Sequence, residues 1–218
     1  MTRVLFDDAT KEHRLLDHPF YKAWAAGTLD RDDLAFYAAQ YWHQVEAFPG
    51  YLQQLAGRLP EGRARTIVEA NLRDEVDGDH AGLWLQFSTA VGANSDAIAA
   101  SVPTEETKKC VESFEQGMQQ GSLPFALGML YGYESQTPEV AETKVEGLKN
   151  LYDVDEAGRA YFELHGELDV EHAAELADAI DEVVCTESDR AAARDGAVAG
   201  ARAVWGLLDG VTRAREIC

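Results

Sequence analysis

The chain has 218 residues, 46% of them hydrophobic, and a net charge of −20 from 39 acidic and 19 basic residues. One globular domain over residues 1–218 accommodates that length. The acidic balance argues against binding to nucleic acid or to an anionic membrane, no apolar run is long enough to span a bilayer, and the early acidic residues after Met1 do not read as a signal peptide. A cytoplasmic protein is therefore expected, with Cys110, Cys185 and Cys218 reduced, since their wide spacing fits neither a zinc site nor a disulfide framework.

Almost every segment reads as helix, and none alternates with the two-residue period of a strand. The six prolines, Pro19, Pro49, Pro60, Pro103, Pro124 and Pro138, are expected near breaks. Thr28-Leu-Asp30-Arg-Asp-Asp starts a helix carrying Leu34, Tyr37, Tyr41 and Val45. Pro60 opens one with Ile67, Val68 and Leu72; Gly78 interrupts it, and 81–91 resumes with Leu83, Trp84 and Phe87. Further helices follow from Pro103 through Phe114, over 124–136, over 138–151, over 155–183 and over 188–215. Seven to nine helices joined by short loops predict an all-α fold, a single helical bundle.

The helix over 155–183 carries Tyr161-Phe-Glu-Leu-His165-Gly-Glu-Leu-Asp169-Val-Glu-His172. His165, Asp169 and His172 fall within about 60° of one another on one helix face. Two imidazoles and a carboxylate aimed at one point suit a non-haem iron or manganese ion. Bundle metal sites draw their remaining ligands from facing helices. Asn71-Leu-Arg-Asp-Glu75-Val-Asp-Gly-Asp-His80 offers Glu75 and His80, and Tyr131-Gly-Tyr133-Glu134-Ser-Gln offers Glu134. The alternative for Glu75 and His80 is a solvated acidic turn beside Asp74, Asp77 and Asp79, and for Glu134 a charge at a helix end. Glu75 and His80 are five residues apart, about 140° on an unbroken helix, so both can ligate only if the helix breaks near Gly78.

Taken in order, His18-Pro-Phe-Tyr21-Lys-Ala-Trp24, Tyr37-Ala-Ala-Gln-Tyr41-Trp-His, Ala47-Phe-Pro, Asn71 to Glu75, His80 to Trp84, Tyr131 to Gln136, Lys144 with Gly147-Leu, and Tyr161 to His172 make a specific pattern over nearly the whole chain. It resembles the haem-oxygenase-like di-metal oxidases, and among them the proteins named for the chlamydial protein associating with death domains. The resemblance implies a metal set of Glu75, His80, Glu134, His165, Asp169 and His172, holding two iron ions or iron and manganese. It implies O2 as co-substrate, an external reductant, and a homodimer. Such proteins form para-aminobenzoate, a folate precursor, from one of their own tyrosines. The matching positions are Tyr21 as the sacrificed side chain and Lys144 as amino donor, with Tyr37, Tyr133 and Tyr161 as aromatic neighbours that guide radical transfer.

Without the resemblance, Tyr21 reads as a core aromatic and Lys144 as a surface lysine. Two other functions fit the same motifs. One is a multiple-turnover oxygenase acting on a diffusible amino acid, amine or fatty acid. The other is a metal-free binding protein or relative of the thiamin-salvage hydrolases, which is weakened because neither Cys110 nor Cys185 has the setting of an activated thiolate.

Overall fold

The structure, a computed structural model, describes residue 6 and residues 8–217. The N-terminal residues Met1 to Leu5, expected not to form a signal peptide, and the reduced cysteine expected at Cys218 lie outside the described residues. The described chain is helical: α1 Pro19–Ala26, α2 Arg31–Arg58, α3 Arg63–Asp77, α4 His80–Ala90, α5 Ser95–Ala99, α6 Glu105–Gln120, α7 Leu123–Glu134, α8 Thr137–Asn150, α9 Glu156–Val183 and α10 Glu187–Arg215. Two single turns of 3-10 helix, Lys11–His13 and Leu15–Asp17, precede α1.

Local chemistry sets these boundaries. Asp30 and Asp33 form a reciprocal capping box at the start of α2. Thr104, Ser122 and Asp155 each accept a backbone N–H of the turn they open. Such caps satisfy donors that a helix leaves unpaired.

The break between α3 and α4 falls where the spacing of Glu75 and His80 requires it. Asp79 adopts a left-handed conformation at φ 48° and ψ 45°, and its side chain caps α4 through the Gly82 N–H. Gly78 contributes space rather than an unusual φ: a Cβ there would lie 2.7 Å from the Asp74 carbonyl and 2.7 Å from His80 Nε2.

One expectation fails. Pro49 lies inside α2 and does not end it. Its ring removes one intrahelical hydrogen bond, but Val45, Phe48, Tyr51, Leu52 and Leu55 around it are all buried, and burying that face outweighs the lost bond.

Helices α7 and α10 approach most closely. A Cβ on Gly128 or Gly132 would collide with the carbonyl oxygens of Ala193 and Ala197, and one on Gly196 or Gly200 with those of Phe125 and Met129. Two reciprocal Gly-x-x-x-Gly pairs thus let the backbones touch. This contact holds α7 against the bundle, with Glu134 at its last position.

Candidate metal centre

Helices α3, α4, α7 and α9 deliver a set of ionisable side chains into the apolar interior. Glu75, His80, Glu134, His165, Asp169 and His172 are all buried, so the solvated acidic turn is not what Glu75 and His80 form. Burying three carboxylates is costly unless a cation or hydrogen bonds compensate.

The six side chains form two groups, Glu75 with His80 and His165, and Glu134 with Asp169 and His172; in each group one donor atom per residue lies within 4.8 Å of the others. This corrects the expectation that His165, Asp169 and His172 converge on one point. They share a helix face, but seven residues advance the axis by about 10 Å, so the ends of the motif serve neighbouring groups.

In the first group His80 Nδ1 is 3.0 Å from Glu75 Oε2, and His165 Nε2 is 3.9 Å from Glu75 Oε1. In the second, His172 Nδ1 is 3.3 Å from Asp169 Oδ1 and 3.9 Å from Glu134 Oε2. Yet His80 Nδ1 and His172 Nδ1 are buried without a well-formed hydrogen bond. Nitrogens aimed among carboxylates at bonding range, but off the bonding angle, are what a cation between them would satisfy. All-N/O sets of this kind suit iron or manganese, so the residues present fit a metal in each group.

Outer contacts orient these ligands. His165 Nδ1–H donates to the Tyr161 carbonyl at 2.7 Å, leaving Nε2 to face Glu75. His172 Nε2–H donates to Asp74 Oδ2 at 3.3 Å, leaving Nδ1 to face Asp169. The Asn71 amide donates to both oxygens of Glu134, at 3.1 Å each. A second polar atom held in this way fixes tautomer and ring direction. Burial, reinforced by Asp169 and only partly offset by His172, pushes the Glu134 carboxyl up to about 8. Burial also disfavours the charged form of Glu75, but the neighbouring imidazoles of His165 and His80 outweigh it and hold that carboxyl low.

A shell of rings connects this cluster to Lys144. Tyr161 stacks on His165 with ring centres 4.0 Å apart, Trp84 meets Tyr161 at 4.9 Å, and Tyr37 meets Trp84 at 5.9 Å. Tyr41 stacks on Trp84 at 5.1 Å and donates its hydroxyl hydrogen to Tyr133 across 3.1 Å. Lys144 is buried, which overturns its reading as a surface lysine. Its Nζ donates to the Tyr37 hydroxyl at 2.6 Å and lies 5.5 Å from the centre of the Tyr21 ring. Tyr21 is itself buried, with the Tyr37 hydroxyl close enough to offset part of the effect of burial on its phenol. Burial lowers the Lys144 ammonium to about 7. The Cys110 thiol is buried and pushed far above its usual range, the opposite of an activated nucleophile.

Two small voids lie here. One, of about 10 Å³, is lined by Glu75, Glu134, His165 and Asp169 together with Tyr133 and Tyr161. The other, of about 20 Å³, touches Tyr41, Tyr133, Lys144, Tyr161 and His165. Asn71, Asp74, Tyr41 and Trp84 stand in the sequence motifs, but sequence reasoning gave them no role. The four-residue spacing of Asn71 from Glu75, of Tyr41 from Tyr37 and of Trp84 from His80 is the signal that places those three on the same faces; Asp74, next to Glu75 in the chain, carries no such signal.

The family model described as "Iron-containing redox enzyme" matches residues 35–205. The chain belongs to this family. As a member it is an oxidoreductase of haem-oxygenase-like all-α fold. It is 32% identical to a 4-aminobenzoate synthase of Chlamydia pneumoniae over 98% of this chain and 96% of that protein. It is 34% identical to a 4-aminobenzoate synthase of Chlamydia muridarum over 97% and 90%. Among solved structures, a TenA homologue from Pseudomonas syringae superposes with a TM-score of 0.84 over 95% of this chain and 91% of that one; at 18% identity it shows the fold alone. No helix of the described residues is long and apolar enough to cross a membrane.

Proposed function

We propose that this chain is an O2-dependent di-metal oxidase that forms 4-aminobenzoate, a folate precursor, from its own Tyr21, with Lys144 as the nitrogen donor. The observation that carries this reading is the placement of a buried amine against a buried phenol, Lys144 Nζ 5.5 Å from the Tyr21 ring. The names of the two chlamydial relatives support the product.

Atom accounting is consistent with this pair. 4-Aminobenzoate has a six-membered ring, one carboxyl carbon and a nitrogen para to it. Tyr21 supplies the ring and Cβ, which becomes the carboxyl carbon once the Cα–Cβ bond breaks. Its phenolic oxygen leaves as water when the ε-nitrogen of Lys144 condenses with the oxidised ring; the ring regains two electrons from Cε of Lys144, and hydrolysis then breaks the Cε–Nζ bond and leaves Cε as an aldehyde. The carbon oxidation consumes O2, with an external reductant supplying the remaining electrons.

Two metal ions, iron with iron or with manganese, held by Glu75, His80 and His165 and by Glu134, Asp169 and His172, would supply O2 activation and one-electron oxidation. The rest falls to the chain. The rings from Tyr161 through Trp84 to Tyr37 offer a short path for an electron leaving Tyr21. The Tyr37 hydroxyl, in contact with both Tyr21 and Lys144, can relay the phenolic proton. Burial keeps a large fraction of Lys144 neutral near pH 7, and a neutral amine is the nucleophile. Holding donor and acceptor in one fold replaces an encounter with an oriented contact.

The voids favour an internal substrate over a diffusible one. At about 10 and 20 Å³ each has room for a water molecule at most, whereas sites that enclose small organic ligands measure roughly 300 Å³ or more. The test is release of 4-aminobenzoate on exposing reduced, iron-loaded protein to O2. Wild type releases it and Tyr21→Phe does not; equal release from Tyr21→Phe would refute the reading.

A further inference from the structure

His18 lies outside the metal cluster and contacts none of its residues, yet it is fully buried and both ring nitrogens are used. Nδ1 accepts the Phe20 backbone N–H at 3.0 Å, so the side chain is the N-cap of α1. Nε2 pairs with Asp209 Oδ1 of α10 at 3.1 Å. Trp205, one turn before Asp209, closes over the ring edge-on at 4.6 Å. Ser, Thr, Asp and Asn are the usual N-caps. A histidine can replace them only in the neutral tautomer that leaves Nδ1 bare and puts the proton on Nε2. Asp209 selects that tautomer because a carboxylate needs a donor.

Tyr21 stands on the first turn of this eight-residue helix, three residues after His18. Pro19 offers no N–H, so the bond from Phe20 is the first that fixes the turn. A short helix has little intrinsic stability, and the placement of Tyr21 against Lys144 therefore depends on what ties down its start.

We propose that His18 is the positioning residue of Tyr21: its neutral tautomer caps α1 through Nδ1 and anchors it to α10 through Nε2–H, and protonation releases the cap. The charged groups facing His18 are Asp209 from α10 and Lys22 from α1; His13 lies beyond, against Trp205. Burial, with Lys22 adding, holds His18 below the usual histidine range against the pull of Asp209, so the ring is neutral at pH 7. The sign follows from this. A lowered histidine stabilises the folded state fully above its unfolded value near 6.5 and loses that contribution as pH falls.

The reaction part of this proposal rests on Tyr21 being the reacting side chain; the structural part does not, and the experiment separates them. Hydrogen–deuterium exchange is followed on the peptide 19–26 in iron-loaded protein kept free of O2. Protection in wild type should fall about tenfold more than the chemical exchange rate predicts between pH 7.5 and 5.5. His18→Ala should lack that protection at both pH values. His18→Asn, which restores a cap acceptor that does not titrate, should keep it at both. A wild-type protection that does not change with pH, a His18→Asn that follows wild type, or a His18→Ala that stays protected would each overturn the proposal. On admission of O2, loss of the Tyr21 side chain should slow about tenfold in His18→Ala at unchanged iron content and recover in His18→Asn. If wild type itself never loses Tyr21, the function proposed above fails, and the exchange data still decide whether His18 holds the helix.

Discussion

The ε-nitrogen of Lys144 donates to the hydroxyl of Tyr37 across 2.6 Å, with both side chains buried. The rings of Phe162, Tyr37, Tyr41, Tyr21 and Trp84 surround it at 4.6–5.8 Å, and no ion pair to Lys144 occurs among the described residues. The cage offers π faces and one hydroxyl, too little to keep a full charge as stable as in water, so burial lowers the ammonium to about 7.

Two consequences follow for pH. The rate of nitrogen transfer should rise about tenfold per pH unit below 7 and level off above about 8, as the neutral amine saturates. In the unfolded chain the lysine titrates near 10.5, so between about 7 and 10.5 the folded state binds fewer protons and this group makes stability rise with pH. Lys144→Met should therefore raise the melting temperature at pH 7 by several degrees while abolishing product. A variant less stable than wild type in a thermal melt would show that Lys144 is held charged.

Asp74 is half exposed, yet its carboxylate fixes the ring of buried His172. Asp74→Ala should weaken metal binding in the group formed by Glu134, Asp169 and His172 about tenfold, as losses of outer carboxylate partners do. Competition with a chelator measures this directly. Binding to the group built on Glu75, His80 and His165 should be unaffected, so only one of two metal equivalents becomes labile.

The contact of α7 with α10 sets the position of Glu134. Gly132→Ala places a methyl where the Ala197 carbonyl already sits, and overpacking of this kind costs about 1–3 kcal/mol. A denaturant melt should show that loss. Metal content should fall with it, because the helix must move away from α10 to make room and carries Glu134, two residues on. Gly206→Ala, on α10 but facing open space, is the control and should leave both unchanged.

Much of the helical order could be read from sequence because the signals are local. Asp30, Thr104 and Asp155 are cap residues next to apolar periodicity, and each opens a helix. The need for a break between Glu75 and His80 was equally legible, since five residues cannot face one way on a continuous helix. What stayed hidden depends on packing. Pro49 is tolerated inside α2 because its neighbours are buried. Lys144 looks like any polar residue on an amphipathic helix until Trp84 and Phe162 close over it. His165 and His172 share a face, but facing helices decide that they belong to different groups. His18 carries no cap signal, because its role as acceptor depends on Asp209 nearly two hundred residues away.

The central claim is that the product's atoms come from this chain. Intact mass and peptide mapping of iron-loaded protein before and after O2, with 4-aminobenzoate measured in the same sample, test it most directly. The account predicts one product released for each chain that loses the Tyr21 side chain, with the nitrogen label of ¹⁵N-lysine-grown protein carried into the product. Release beyond one equivalent per chain, from protein whose Tyr21 is intact, would contradict it.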